Sequence, residues 1–252
     1  MSFTADLSGS RALITGASSH GLGAHFARTL AGCGAEVVVA ARRLDPLEAL
    51  AAEIAAGGGS ARALQMDVAD IASIRAAFDH AGRIDIIVNN AGMERTAAIL
   101  DFADEDFEAV HDVNLKGVWQ VAVEGGRRLR NAGCGGSIVN IASITGHRGM
   151  AGAAPYNVSK AGVLHLTRQL AWGLARYGIR VNSISPGYFA TDLNREFLES
   201  DQGEAMRKRI AMRRFGQFPD LDGALLLLVS SASAFMTGCD IVVDGGHVIS
   251  PL

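Results

Sequence analysis

Short apolar runs alternate along this chain with longer stretches in which apolar residues recur every third or fourth position. The short runs predict strands at 12–15, 36–40, 63–67, 84–89, 137–141, 180–185 and 241–243. Several read as unbroken Val, Ile and Leu rather than as alternation, the pattern of strands covered on both faces. Between them lie helical stretches: Leu22, Phe26 and Leu30 fall at i, i+4 and i+8, and 47–56 is rich in Ala, Leu and Glu. Strands separated by helices predict right-handed βαβ units and a doubly wound, seven-stranded parallel sheet of Rossmann type in an αβα sandwich. The glycine runs at 57–59 and 133–136 are too short for linkers, so residues 1–252 read as one domain. One connection is long, the stretch 188–219, which mixes Phe189, Leu193, Phe197, Leu198, Met206, Met212 and Phe215 with charges. It starts beyond a strand's carboxyl end, where α/β sheets bind ligands. An apolar substrate lid and an added helical pair packed on the core are both open readings.

Composition narrows the field. Hydrophobic residues make up 49% and charged residues 19%, against ~25% charged on average, which excludes disorder and suggests buried surface between subunits. A net charge of −3 gives no electrostatic case for nucleic acid or an anionic membrane. The longest apolar runs, such as 224–229, fall far short of the ~18 residues a membrane span needs. Cys33, Cys134 and Cys239 are widely spaced, and His25, His80, His111 and His165 have no partner at metal-ligand spacing. A protein of the cytoplasm with no metal site is expected. Thirty glycines, without a collagen-like period, are left to turns and close backbone contacts.

The chemistry concentrates in a few places. Thr15-Gly16-Ala17-Ser18-Ser19-His20-Gly21-Leu22-Gly23 follows the first strand and opens the first helix, where backbone N–H groups and the positive helix end suit a pyrophosphate. Asp67-Val68 and Asn89-Asn90-Ala91-Gly92 close strands three and four, beside the place for an adenosine half; Asn, Asp and Gly there also suit plain turns. Tyr156 and Lys160, four apart, share one face of a helix whose other side carries Val163, Leu166, Leu170 and Leu174. A tyrosine with a pKa of ~10 is a poor base near neutrality, and a neighbouring ammonium favours its phenolate. Lowering it to about 7 takes ~4 kcal/mol of differential stabilisation, within reach of a close charge in a cleft.

With twelve residues between Ser143 and Tyr156, Asn114 within Asn114-Leu115-Lys116-Gly117, and Pro186-Gly187 with Thr191, the chain resembles the short-chain dehydrogenase/reductase family over nearly its whole length. The resemblance implies that Tyr156 exchanges a proton with the substrate oxygen while Ser143 orients the carbonyl. Lys160 would bind the nicotinamide ribose and depress the Tyr156 pKa, and Asn114 would hold a water linking Lys160 to solvent. Gly16, Ser18, Ser19, Gly21 and Leu22 would cradle phosphates. Asp67, Val68, Asn90, Ala91 and Gly92 would border the adenosine half, and Pro186, Gly187 and Thr191 the nicotinamide. One departure stands out: four residues, not the family's usual three, separate Gly16 from the Gly21-x-Gly23 pair. The addition, taken as His20, is read as an outward bulge, the alternative being an imidazole on a phosphate.

NAD-preferring sites carry an acid about twenty residues past the glycines, on the ribose 2′-hydroxyl. Here Ala41 stands eighteen past Gly23 and is followed by Arg42 and Arg43, which favours NADP(H) over NAD(H). The expected activity is NADP(H)-dependent interconversion of a ketone and a secondary alcohol, as a carbonyl or 3-oxoacyl thioester reductase; the rival is an NAD-dependent alcohol or sugar dehydrogenase. A catalytically silent dinucleotide-binding regulator is disfavoured, having no need of the tyrosine–lysine pair. The resemblance also implies a homo-oligomer, tetramer or dimer, pairing the helices after strands four and five and the C-terminal region. His147 and Arg148 follow Ser143 closely enough to edge a substrate pocket, although loop solvation is the better explanation for either. Arg127, Arg128 and Arg130, and Arg207-Lys208-Arg209, read as solvated helix faces before they read as a dock for an acidic carrier.

Overall fold

The computed structural model describes residues 5–18, 20–190 and 195–250. Its strands are β1 (Arg11–Thr15), β2 (Glu36–Ala41), β3 (Ser60–Gln65), β4 (Ile86–Asn89), β5 (Gly136–Ile141), β6 (Ile179–Pro186) and β7 (Asp240–Val243). They form one seven-stranded sheet in the order β3-β2-β1-β4-β5-β6-β7, every pair parallel. The helices are α1 (Leu22–Gly32), α2 (Asp45–Ala56), α3 (Ile71–Ala81), α4 (Asp104–His111), α5 (Val118–Asn131), α6 (Ala154–Leu174), α7 (Arg195–Glu199), α8 (Asp201–Arg209) and α9 (Asp222–Val229). This is the Rossmann-type doubly wound sheet that the sequence predicts.

Alternation along the central strands builds two cores. Ala12 and Ile14 of β1 with Val37 and Val39 of β2 face α1, α2 and α9, where Phe26, Leu30, Leu47 and Leu225 are buried. Leu13, Val38, Ile87 and Ile138 face the opposite layer, against Ile74 and Phe78 of α3, Val121 of α5 and Leu170 of α6. Each such side chain, fully buried, contributes about 1.5–3 kcal/mol, so the unbroken apolar runs record burial on both faces. In α5, a Cβ on Gly125 would overlap Ile87, so glycine lets that helix sit directly on β4.

The third strand corrects the sequence reading, which placed it at 63–67. The strand is Ser60–Gln65, and Asp67 lies beyond it in a turn where its Oδ1 accepts from the Ala69 amide at 3.0 Å. β3 pairs only with β2 and is nowhere fully buried, so it lacks the apolar run that marks the central strands. The long connection holds the short pair α7 and α8, with Phe189 and Ile210 buried at its two ends; Thr191 lies outside the described residues.

Parallel register brings the carboxyl ends together. Asn89 faces Asn140 across β4–β5, and Ile141 faces Ile184 across β5–β6. Gly16, Asn90, Ala142 and Gly187 therefore leave the sheet on the same side.

Candidate active site

The turn after β1 is fastened to the segment after β4. Thr15 Oγ1 accepts from the amides of Asn90 and Ala91, each at 3.1 Å, while Asn90 Nδ2 donates to the carbonyls of Thr15 at 2.9 Å and Gly16 at 3.2 Å. Gly16 has φ +70°, and a Cβ there would stand 2.6 Å from Ala91 Cα. A Cβ on Gly23 would stand 2.6 Å from Asn90 Nδ2. Side chains at either position would force the two segments apart. Gly21 caps α1 in an extended conformation with no side-chain cap bond, which leaves the first-turn amides of α1, Leu22 foremost, as donors at its positive end. Ser18 is half-buried beside this turn, and Ser19 lies outside the described residues. His20 is exposed, and its charge adds to the lowering of the Glu53 carboxyl of α2 that Arg28 chiefly causes.

At the end of β2, Ala41 is followed by exposed Arg42 and Arg43. The Arg42 carbonyl accepts from Gln65 Nε2 at 2.9 Å, which pins its backbone, and among the described residues no carboxylate pairs with its guanidinium. Arg43 Nη2 donates to the Ser18 carbonyl at 3.5 Å, over the glycine turn. Asp67 and buried Val68 follow β3, and a Cβ on Gly117 would come within 2.9 Å of the Val68 carbonyl.

Ser143, Tyr156 and Lys160 converge because the 144–146 turn packs on α6. A Cβ on Gly146 would stand 2.9 Å from the Lys160 carbonyl, so the turn rests on that helix backbone. Buried Ser143 accepts at Oγ from the Thr145 amide and hydroxyl, both at 3.1 Å, and stands near enough to the Tyr156 phenol to lower its pKa. Lys160 is buried, donates from Nζ to the Ile141 carbonyl at 2.8 Å, and lies 5.5 Å from the centre of the Tyr156 ring.

The electrostatics run opposite to the sequence expectation. Tyr156 keeps part of its surface open, yet enough protein surrounds it that burial pushes its pKa up to about 12; the nearby Ser143 hydroxyl opposes this, and Glu94 and Tyr188 add to it. Burial takes Lys160 down to about 8. Within the protein's own groups, Tyr156 is a firmly protonated phenol rather than one depressed by Lys160. Two buried groups that each resist charge do not ionise one another cheaply.

Asn114 sits in a π-helical segment, Asp112–Gly117, between α4 and α5. It is fully buried and its amide is committed: Oδ1 accepts from the Met93 amide at 2.8 Å, and Nδ2 donates to the Met93 carbonyl at 2.8 Å and to Ser159 Oγ at 3.1 Å. Its visible work is to hold the backbone beyond Gly92. A Cβ on Gly92 would lie 3.4 Å from Asn114 Oδ1 and 3.8 Å from Lys160 Nζ, so glycine keeps the approach to both clear. These features fit a dinucleotide laid along the strand ends: a glycine cradle, uncapped helix donors, a free guanidinium past β2 and an open approach to Lys160. Pro186 ends β6, and Gly187 packs so closely that a Cβ would meet Asp244 Cβ at 2.7 Å.

Sequence reasoning missed Glu94 and the part played by Tyr188, although Tyr188 directly follows one recognised motif and Glu94 stands two positions past another. Tyr188 donates to Met150 Sδ at 3.0 Å, and burial raises its pKa, with Glu94 adding and Arg209 opposing. His147 is tied to Asp240 at 2.8 Å and Ser185 at 3.2 Å, and Arg148 donates to the Ser250 carbonyl at 3.2 Å; both serve the loop after Ser143. Arg127, Arg128 and Arg207 pair with acids of their own helices. Among the described residues no group of His, Cys, Asp or Glu could hold a metal ion, and no helix is long and apolar enough to cross a membrane.

Comparison with known proteins agrees with this geometry. The model of a family described as enoyl-(acyl carrier protein) reductase matches residues 16–247. A D-threitol dehydrogenase of Mycolicibacterium smegmatis is 37% identical over 247 residues, covering 96% of this chain and 94% of its own. A 3-oxoacyl-[acyl-carrier-protein] reductase of Synechocystis is 38% identical over 244 residues, covering 94% and 96%. The crystal structure of a gluconate 5-dehydrogenase from Burkholderia cenocepacia, in complex with NADP and tartrate, superposes with a TM-score of 0.93 at 39% identity over 97% of each chain.

Proposed function

Because the chain belongs to the short-chain dehydrogenase/reductase family, and its relatives include a D-threitol dehydrogenase and a gluconate 5-dehydrogenase in complex with NADP, we propose that it is an NADP(H)-dependent dehydrogenase of small polyhydroxylated substrates. The observation that carries the reading is the convergence of Ser143, Tyr156 and Lys160 beyond β5, within reach of the glycine-lined strand ends. A bound nicotinamide supplies or accepts the hydride. Tyr156 gives the matching proton to the carbonyl oxygen in reduction and takes it from the hydroxyl in oxidation. Ser143, beside Tyr156, holds the substrate oxygen against that phenol. Lys160, desolvated and anchored on the Ile141 carbonyl, would meet the nicotinamide ribose hydroxyls. The 2′-phosphate is assigned to Arg42, whose guanidinium has no carboxylate partner among the described residues. Substrate preference moves from the 3-oxoacyl thioesters expected at first toward sugars and polyols, in line with the threitol and gluconate dehydrogenases. The 3-oxoacyl reductase at 38% identity keeps the thioester as a second reading.

A homo-oligomer forms part of the proposal. Phe107, Trp119, Val158 and Trp172 are exposed on α4, α5 and α6, and a groove of about 400 Å³ lies between Leu115, Trp119 and Leu166. Large exposed apolar faces of this kind mark interaction surfaces.

The test is nicotinamide turnover by the purified protein against polyols, aldonates, simple ketones and 3-oxoacyl thioesters, with NADP(H) and NAD(H) compared. Tyr156→Phe keeps the ring and removes the proton, so turnover falls ~10²-fold or more while cofactor affinity stays within about twofold. Near-normal turnover in that variant refutes the assigned proton donor.

A further inference from the structure

Ser143 sits where the chain leaves the sheet. The Ala142 amide still donates to the Ile184 carbonyl of β6 at 2.8 Å, and a tight turn begins at the next residue. Within it the Gly146 amide donates to the Ser143 carbonyl, and the amides of His147 and Arg148 donate to the Ile144 carbonyl, each at 3.0 Å. These bonds shape the turn without fixing it to the rest of the molecule. On one side it rests on α6 through Gly146. On the other, His147 crosses to the sheet, its Nε2 2.8 Å from Asp240 Oδ2 and 3.2 Å from Ser185 Oγ. Arg148 adds a tie to the Ser250 carbonyl at 3.2 Å.

The far end of that bond is a fixed point. Asp240 opens β7 opposite Ser183, and its side chain is only 12% exposed. It accepts from Ser183 Oγ at 2.6 Å and from Ser185 Oγ at 3.0 and 2.9 Å on its two oxygens. A carboxylate only accepts, so His147 Nε2 carries the hydrogen and donates. Burying a carboxylate is costly unless donors surround it, and His147 supplies one of the three donor groups here. Because a single ring nitrogen meets both the serine and the carboxylate, the cluster is no nucleophile–base–acid relay, which needs the two nitrogens on different partners. Its work is to hold position.

We propose that His147 is a positioning residue: its bond to Asp240 fixes the turn that aims the Ser143 hydroxyl at the substrate oxygen. This rests on the role given to Ser143 above and deepens it. Ser143 Oγ accepts from both the amide and the hydroxyl of Thr145, so its own hydrogen is left to donate outward. Thr145 belongs to the same turn, and a slip of the turn moves the hydroxyl and the groups that orient it together. A misplacement of about 1 Å at a reacting centre can cost ~10²-fold in rate.

The experiment measures kcat, KM and the NADPH dissociation constant, well below each melting temperature, in His147→Phe, His147→Gln, Ser143→Ala and the Ser143→Ala/His147→Phe double variant. The substrate is whichever polyol, aldonate, ketone or 3-oxoacyl thioester the unmodified protein turns over fastest. Phenylalanine fills the space without a donor, and glutamine offers an amide N–H in place of Nε2–H. His147→Phe lowers kcat about ten- to a hundredfold while NADPH binding stays within about twofold, and His147→Gln brings kcat back to within about threefold. In Ser143→Ala, adding His147→Phe changes the residual kcat by less than about twofold, because no hydroxyl is left to aim. An equal loss in both backgrounds makes His147 a general structural tie and overturns the assignment. Near-normal kcat in His147→Phe, beside a Ser143→Ala that has lost turnover, overturns the role of His147 alone. Near-normal turnover in Ser143→Ala overturns the role of Ser143 and that of His147 with it. Absence of turnover across all four substrate classes in the unmodified protein overturns the dehydrogenase reading.

Discussion

Replacing Asn114 tests whether its amide is a structural clamp. In Asn114→Ala, the Met93 amide and carbonyl lose their partners together, and Ser159 Oγ loses a donor. A buried polar group left unpaired costs about 1–3 kcal/mol. Met93 is only half-buried, so water can reach part of its backbone, and a loss of about 2–4 kcal/mol is expected. At about 2–4 °C per kcal/mol for a chain of this size, the melting temperature falls by about 4–16 °C. Asn114→Asp is the sharper variant. Ser159 Oγ already donates to the Tyr156 carbonyl at 2.7 Å, so it can only accept from residue 114, and the Met93 carbonyl can only accept too. A carboxylate there faces two lone pairs and is stabilised only by taking up a proton, which raises its folded pKa above the unfolded ~3.9. Its deficit against the unmodified protein is therefore smallest in acid and grows as pH rises toward neutrality. Differential scanning calorimetry between pH 4 and pH 8 reads both effects. A melting point within 1 °C of the unmodified protein for both variants refutes the clamp.

The buried Lys160 opposes folding: its pKa is about 8 against 10.5 in the unfolded chain, so the penalty is complete below pH 8 and fades as pH climbs toward 10.5. Lys160→Met removes roughly 3 kcal/mol of that penalty but strands the Ile141 carbonyl at a cost of about 1–3 kcal/mol, so without nucleotide at pH 7 it melts up to about 8 °C higher while turnover is lost; a lower melting point contradicts this balance. Arg42→Ala weakens NADPH binding about ten- to a hundredfold and NADH little, measured by fluorescence titration, and equal losses for both would remove the 2′-phosphate from Arg42. Light scattering gives a mass above the 26.3 kDa of one chain, and Trp172→Glu lowers it; a monomer in the unmodified protein refutes the apolar face as an interface.

The order of strands and helices was legible because burial on both faces leaves unbroken apolar runs, as at Val37-Val38-Val39. β3 was displaced because an edge strand such as Ser-Ala-Arg-Ala-Leu-Gln carries no such run, so Leu64 and Met66 drew the reading toward the following turn. Tyr156, Lys160 and Ser143 could be named from spacing, and the packing of Gly146 on α6 explains why that spacing brings them together. Their protonation could not be read the same way. Sequence shows a cation one turn from a phenol, but not the burial that outweighs it.

The fastening of Thr15 to Asn90 also bears on the chain as it leaves the ribosome. A nascent chain that ends after β3 contains every glycine of the first turn, yet it lacks the Asn90 and Ala91 backbone against which Gly16 and Gly23 are pressed. Its β1 is paired with β2 alone, and the flank reserved for β4 stands open. Nucleotide cannot hold such an intermediate together, because the floor of its binding turn has not yet been made. Protection of that open edge falls to whatever meets the chain during synthesis, and competence to bind arrives in one step, when β4 docks beside β1.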